Sequence, residues 1–238
     1  MRRMCALLVL AASFGSVPAS AQDKKVDVNI GAGYTFSMSD VRKYLGDGYN
    51  FNTGITFNAT PIVGIQVEYG FTGLGAKEVR IPVSVAPSAG ASVDTPFFAD
   101  MNMQYGNLNL VFKPRMDGKV KPYFIAGVGL YYRPVKVTTP GVGYVPGFCN
   151  PWWYVCVPGG FVPVTSVVGS RSSTDFGLDF GAGMNIAATD RFDIYLEARY
   201  HYIWGPEFKP STQLPAGTTT ASGKANGQFL PITLGIRF

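Results

Sequence analysis

The chain has 238 residues, is 47% hydrophobic and 14% aromatic, and carries only 15% charged residues with 29 glycines and a formal charge of +5. Its basic residues are scattered, which excludes a lysine- or arginine-rich surface of the kind that grips nucleic acid. No stretch approaches the roughly 18 uninterrupted apolar residues of a transmembrane helix, so few charges with many glycines and aromatics point to β-structure against lipid.

The chain opens with MRRMCALLVLAASFGSVPASA: two arginines, an apolar stretch from Cys5 to Ala12, then Ala19, Ser20 and Ala21. That is the anatomy of an export signal. Cleavage is expected between Ala21 and Gln22, leaving a signal peptide at 1–21 and a single domain at 22–238. Cys149 and Cys156 then remain, and an even cysteine count in an exported chain predicts one disulfide.

Eight segments alternate apolar and polar residues, as strands with one apolar face require. In 26–36, Val26, Val28, Ile30, Ala32, Tyr34 and Phe36 oppose Asp27, Asn29, Gly31, Gly33 and Thr35. In 49–59, Tyr49, Phe51, Ile55 and Phe57 oppose Asn50, Asn52, Thr56 and Asn58. In 63–72, Val63, Ile65, Val67, Tyr69 and Phe71 oppose Gln66, Glu68, Gly70 and Thr72. The fourth segment is least regular: Met101, Met103 and Tyr105 are out of phase with Leu108, Leu110 and Phe112, which predicts a bulge near Gly106. Next, Phe124, Ala126, Val128, Leu130 and Tyr132 oppose Gly127, Gly129 and Arg133. Phe176, Leu178, Phe180, Ala182, Met184 and Ile186 oppose Asp175, Asp179 and Asn185. Phe192, Ile194, Leu196, Ala198, Tyr200, Tyr202 and Trp204 oppose Asp193, Tyr195, Glu197, Arg199 and His201. The last segment alternates through Leu230, Ile232, Leu234, Ile236 and Phe238.

Each segment has about the 9–11 residues that a tilted strand needs to cross a bilayer core. Connections alternate between short (60–61, 114–120, 188–190) and long (37–48, 73–99, 134–172, 205–226). Aromatic residues gather at both ends of the segments, where amphipathic rings favour the headgroup region. A soluble sandwich has strands averaging about five or six residues and must fill a core with its apolar face, which fits this pattern poorly. An open sheet edge in lipid leaves backbone groups unpaired, so the sheet is expected to close. The predicted fold is all-β: an eight-stranded, antiparallel, up-and-down transmembrane β-barrel with short periplasmic turns and long outer loops. VRIPVSVAP (79–87) also alternates; Arg80, Pro82 and Pro87 favour a hairpin extension above the membrane over two further spanning strands.

The segments GAGYTF, KPYFIAGVGLYYRP, DFGLDFGAGMNI and EARYHYIW, together with the export signal, resemble the small outer-membrane β-barrel family. That family includes OmpA-type transmembrane domains, opacity-type surface antigens and proteins called porin family. The resemblance implies the outer membrane of a Gram-negative bacterium, with lipid and lipopolysaccharide around the barrel and loops facing outward. It also implies that the terminal Phe238 is read by the barrel assembly machinery. A structural, monomeric, surface-interaction protein is the leading expectation, and a narrow passage for small solutes is the alternative.

The expected inward ionisable residues are Asp27, Glu68, Lys113, Arg133, Asp175, Asp179, Asp193, Glu197, Arg199, His201 and Arg237. Eight strands leave an interior that side chains just fill, so these groups are expected to pair in a polar network. The related lipid A deacylases use a Ser-His pair, but Ile203 stands two residues after His201 where the serine would be. No catalytic, cofactor-binding or metal-ligating set is expected; two cysteines without a nearby histidine make a poor zinc site. GFCNPWWYVCVPGGF (147–161) places Trp152, Trp153 and Tyr154 between Cys149 and Cys156. These rings are candidates for contact with a host or envelope partner.

Overall fold

Strict side-chain alternation makes each segment a wall strand with one wet and one greasy face. The computed structural model describes residues 25–84, 92–116, 118–145, 148–150, 155–157, 159–189, 191–208 and 223–238. The export segment, its cut between Ala21 and Gln22, and Trp152, Trp153 and Tyr154 lie outside the described residues. In chain order the elements are β1 (Val26–Ser37), the one-turn helix α1 (Val41–Tyr44), β2 (Leu45–Asn58), β3 (Val63–Ser84), β4 (Ser92–Phe112) and β5 (Val120–Val145). There follow β6 (Phe148–Asn150), β7 (Val155–Val157), β8 (Gly160–Ala187), β9 (Asp193–Ile203), β10 (Glu207–Phe208), β11 (Gly223–Lys224) and β12 (Gly227–Arg237).

Eight strands close into a ring in the order β1, β12, β9, β8, β5, β4, β3, β2. Every neighbouring pair is antiparallel. The seam between β1 and β12 runs to the last residue: the Phe238 N–H donates to the Val28 carbonyl at 2.9 Å, and the Val28 N–H donates to the Phe238 carbonyl at 3.2 Å. Closure pairs the backbone groups that an open edge would leave bare in hydrocarbon.

The exterior carries exposed Ile30, Phe51, Ile55, Val67, Leu110, Leu130, Phe180 and Leu234. Rings meet at both rims of this belt. Tyr34 packs on Phe36, Tyr49 on Phe71, and Trp204 on both Phe176 and Tyr202 at the long-connection end. At the short-turn end Phe192 lies 6.4 Å from Phe238.

Three sequence expectations change. First, β4 has no bulge at Gly106. Its pairing with β3 is unbroken from Val63↔Phe112 to Leu74↔Met101, and with β5 from Gln104↔Tyr132 to Phe112↔Phe124. Met101, Met103 and Tyr105 are 2%, 1% and 4% exposed. They share the inward parity of Asn107 and Asn109, so the phase change is one of chemistry, not of backbone. Second, much of the long connections 73–99 and 134–172 is strand. Pairing continues from Lys77↔Ala99 to Ser84↔Ser92 and from Arg133↔Ser173 to Val145↔Gly160. The hairpin extension expected at 79–87 is itself present where the chain is described, with Val79 paired to Phe97 and Ile81 to Thr95. Third, the connection expected at 37–48 is shorter, because β2 begins at Leu45 after α1. Register shifts do occur, between Leu45 and Gly48, Leu74 and Lys77, and Val137 and Thr138. They lie at the long-connection end, where a bulge can re-aim a strand leaving the barrel wall.

Candidate functional site: the crossed lumen and the hairpins above it

β9 and β3 stand opposite each other in the ring, and their inward residues meet. Arg199 on β9 donates from Nη1 to Glu68 Oε1 at 2.8 Å and from Nη2 to Glu68 Oε2 at 3.1 Å. The same guanidinium donates from Nε and Nη2 to Glu197 Oε1 at 3.0 and 2.5 Å, and from Nη1 to Asp179 Oδ2 at 3.4 Å. One arginine therefore crosses the lumen and gathers three carboxylates. Bidentate geometry of this kind gives strong, directional pairing, which buried charges need if they are to repay their lost hydration. Neutral donors complete the shell: the Tyr123 hydroxyl donates to Glu197 Oε2 at 2.9 Å, and Asn107 Nδ2 donates to Asp179 Oδ1 at 3.0 Å.

Towards the short-turn end, Lys113 Nζ donates to Asp27 Oδ2 at 2.6 Å and to Asn58 Oδ1 at 2.9 Å. Arg237 donates from Nη1 to Asn185 Oδ1 at 3.0 Å. Its guanidinium carbon lies 4.7 Å from the Tyr123 ring centroid and 5.1 Å from that of Tyr195, within the range of attraction between a cation and an aromatic face. Asp193 sits opposite Arg237 in the β9–β12 register, and among the described residues no ion pair joins the two.

Above the Arg199 cluster the chemistry turns apolar. Asn107 Nδ2 donates to the Tyr131 hydroxyl at 3.1 Å, and that hydroxyl lies 2.7 Å from His201 Nδ1. Tyr105 stacks on Tyr131 with centroids 5.4 Å apart and lies 5.2 Å from the His201 ring. Leu45, Leu74, Met101, Met103, Ile203 and Phe229 cluster with these tyrosines. A ring of this size needs room across a narrow lumen, and Gly70 supplies it: a Cβ there would overlap the Tyr105 ring. At the rim Arg133 donates to Asp175 Oδ2 from Nε at 2.9 Å and from Nη2 at 2.5 Å, and Nη2 also donates to the Ala225 carbonyl at 3.1 Å. That side chain ties β5 and β8 to the segment entering β12.

The structure thus unites Glu68, Asp179, Glu197 and Arg199 in one cluster and pairs Asp27 with Lys113 and Arg133 with Asp175. It stacks Arg237 on tyrosines, places His201 among aromatics and leaves Asp193 apart. Sequence reasoning missed Tyr105, Tyr123 and Tyr131 as lumen residues. Parity held the signal: Tyr105 is in phase with Asn107, and Tyr123 and Tyr131 with Gly127 and Gly129.

Beyond the rim, the β5–β8 hairpin presents exposed Val142, Tyr144, Phe161 and Val167. Tyr144 and Phe161 are register partners with rings 5.5 Å apart. Next to this hairpin β6 pairs with β7, and Cys149 faces Cys156 in a disulfide.

No curated protein sequence matches the chain. Among solved structures, Neisserial surface protein A (NspA) is 16% identical with a TM-score of 0.50, over 90% of this chain and 96% of that one. A major outer membrane protein from Thermus thermophilus is 11% identical with a TM-score of 0.49, over 90% and 99%. Ail, the attachment invasion locus protein of Yersinia pestis, is 15% identical with a TM-score of 0.41, over 90% and 97%. At such identities the likeness is one of fold. Residues 7–238 match the family described as outer membrane protein beta-barrel domain. With a closed eight-stranded ring, a greasy exterior and a polar interior, the chain belongs to the outer membrane protein β-barrel family.

Proposed function

We propose that this barrel is a non-conducting outer-membrane scaffold, present as a monomer, that displays its long hairpins to the cell exterior and binds another surface through them. The observation that carries the reading is the Arg199–Glu68 bridge across the full width of the lumen, with an apolar cluster stacked above it. A lumen crossed at mid-height favours a display role over the alternative of a narrow solute passage. The exposed rings of Tyr144 and Phe161 supply apolar contact area on the hairpin, and exposed apolar patches mark interaction sites. Trp152, Trp153 and Tyr154, which lie between the bonded cysteines in the sequence, are the further rings this reading assigns to a host or envelope partner. In this reading the signal at 1–21 directs export, Phe238 is recognised by the barrel assembly machinery, and the short turns face the periplasm.

Two measurements test the proposal. In planar bilayers the purified barrel is expected to give no stable conductance steps; nanosiemens steps would restore the passage reading. Cells displaying a barrel with Trp152→Ala and Trp153→Ala are expected to lose most of the adhesion of the unaltered barrel while keeping equal amounts of folded protein. Undiminished adhesion would remove the role assigned to the hairpin.

A further inference from the structure

β8 has a bare edge beyond the barrel wall. Its pairing with β9 ends at Gly177↔Ile203, while its pairing with β5 continues to Val145↔Gly160. Among the described residues, the stretch 160–175 is therefore paired on the β5 side alone. A long strand with a row of open N–H and C=O groups is a template for another strand, and proteins commonly guard such edges with charge. β3 does so on the far side of the β3–β4 hairpin: beyond Leu45↔Ala76 its edge carries Lys77, Glu78 and Arg80. β8 does not. Residues 137–170 contain no Asp, Glu, Lys, Arg or His, and Val164, Thr165, Val167 and Val168 are exposed. Neutral runs of high β-propensity favour pairing between chains. Pro163 removes at most one donor from the row.

The direction of the strand selects the partner. β8 runs from the hairpin tip back to the wall. Two β8 edges in one membrane point the same way and could meet only in parallel, the slightly weaker pairing. β8 against β3 of a neighbour in one membrane would be antiparallel, but it sets Lys77, Glu78 and Arg80 against an uncharged strand. An antiparallel match between identical edges needs a two-fold axis normal to the sheet, the isologous arrangement usual in homodimers. That axis inverts one barrel relative to the other, so the two stand in facing membranes. Two copies also bring no like charges together over 137–170. Lipid is a poorer occupant, because a hairpin sunk in hydrocarbon would leave this same edge unpaired.

We propose that the β8 edge pairs with the β8 edge of a second copy of this chain in an opposing membrane, joining the two hairpins into one sheet. Val142, Tyr144, Phe161 and Val167 are exposed and share one face of the hairpin, which adds apolar contact at the junction. The inference rests on the outward placement of the hairpins and names the partner of the display reading.

The test uses the full barrel in phospholipid vesicles, with clustering read by light scattering. Vesicles carrying the barrel are expected to cluster with one another and to leave fluorescent empty vesicles dispersed. Thr165 and Val167 lie on the exposed face, opposite Pro140 and Thr138. A barrel with Thr165→Lys and Val167→Lys, and one with Thr165→Glu and Val167→Glu, are each expected to cluster about tenfold less, because like charges facing across a strand pair repel. A mixture of the two vesicle populations is expected to regain clustering, a result that only self-pairing gives. Both residues lie beyond the wall, so an unchanged unfolding temperature reports that each variant folds. Absence of clustering by the unaltered barrel, capture of empty vesicles, or a mixture that stays dispersed overturns the proposal. Adhesion of cells to another surface is measured separately, so failure here leaves the display reading standing.

Discussion

Arg199→Met is expected to destabilise the folded barrel by about 3–5 kcal/mol, the cost typical of removing one partner from a buried ion cluster. The substitution leaves Glu68, Glu197 and Asp179 facing one another with no cation among them, since Arg199 is the basic group that contacts all three. The loss comes less from a missing attraction than from like charges stranded away from water. Urea unfolding in micelles, followed by tryptophan fluorescence, measures it. A companion variant separates the two causes: Arg199→Met combined with Glu68→Leu, Asp179→Leu and Glu197→Leu removes every charge of the cluster. That barrel is expected to recover most of the stability lost in the single variant, because packed apolar groups often replace buried ions at little cost. A single variant that loses less than about 1 kcal/mol would mean that the cluster is hydrated and the lumen open.

Tyr105→Ala is expected to cost a similar amount, about 3–5 kcal/mol, as for other large rings removed from a packed interior. Its ring stacks on Tyr131, lies 5.2 Å from the His201 ring and covers Gly70. Gly70→Ala alone is also expected to destabilise, because its methyl group collides with that ring. Together the two substitutions should cost less than the sum of the singles, since each makes room for the other; coupling of about 0.5–3 kcal/mol is usual for residues in contact. The same urea titration checks this, and simple additivity would mean that the ring does not occupy the space above Gly70.

Architecture was legible because a membrane barrel writes its register into the sequence. Asp27, Asn29 and Thr35 against Ile30, Tyr34 and Phe36 fix which way β1 faces, and the same logic holds for β2, β3, β8, β9 and β12. The rule failed where residue type and parity disagreed. Met101, Met103 and Tyr105 are apolar yet point inward. Assigning them to lipid required a bulge that the unbroken β3–β4 pairing excludes. Hydrophobicity reports that a residue avoids water, not whether lipid or a packed lumen receives it. The ion partners were also beyond reach: which of the inward carboxylates Arg199 gathers depends on β3 standing across the ring from β9, a fact of closure and not of local pattern. The extent of β5 and β8 was hidden differently, because glycines and prolines between 134 and 172 read as loop while backbone pairing carries the strands on to Val145 and Gly160.

The central claim is that alternate residues of the wall face hydrocarbon and a packed, water-poor lumen. Nitroxide labels placed singly on β2 of the barrel in lipid bilayers test it most directly, at Phe51→Cys, Thr53→Cys and Ile55→Cys and, in turn, at Asn50→Cys, Asn52→Cys and Thr56→Cys. The first three are expected to collide readily with dissolved oxygen and rarely with an aqueous nickel chelate, as sites bathed in lipid do. The second three are expected to meet neither reagent and to give immobilised spectra. Frequent collision of the second set with the nickel chelate would reveal an open, water-filled barrel, and loss of the two-residue alternation would contradict the fold itself.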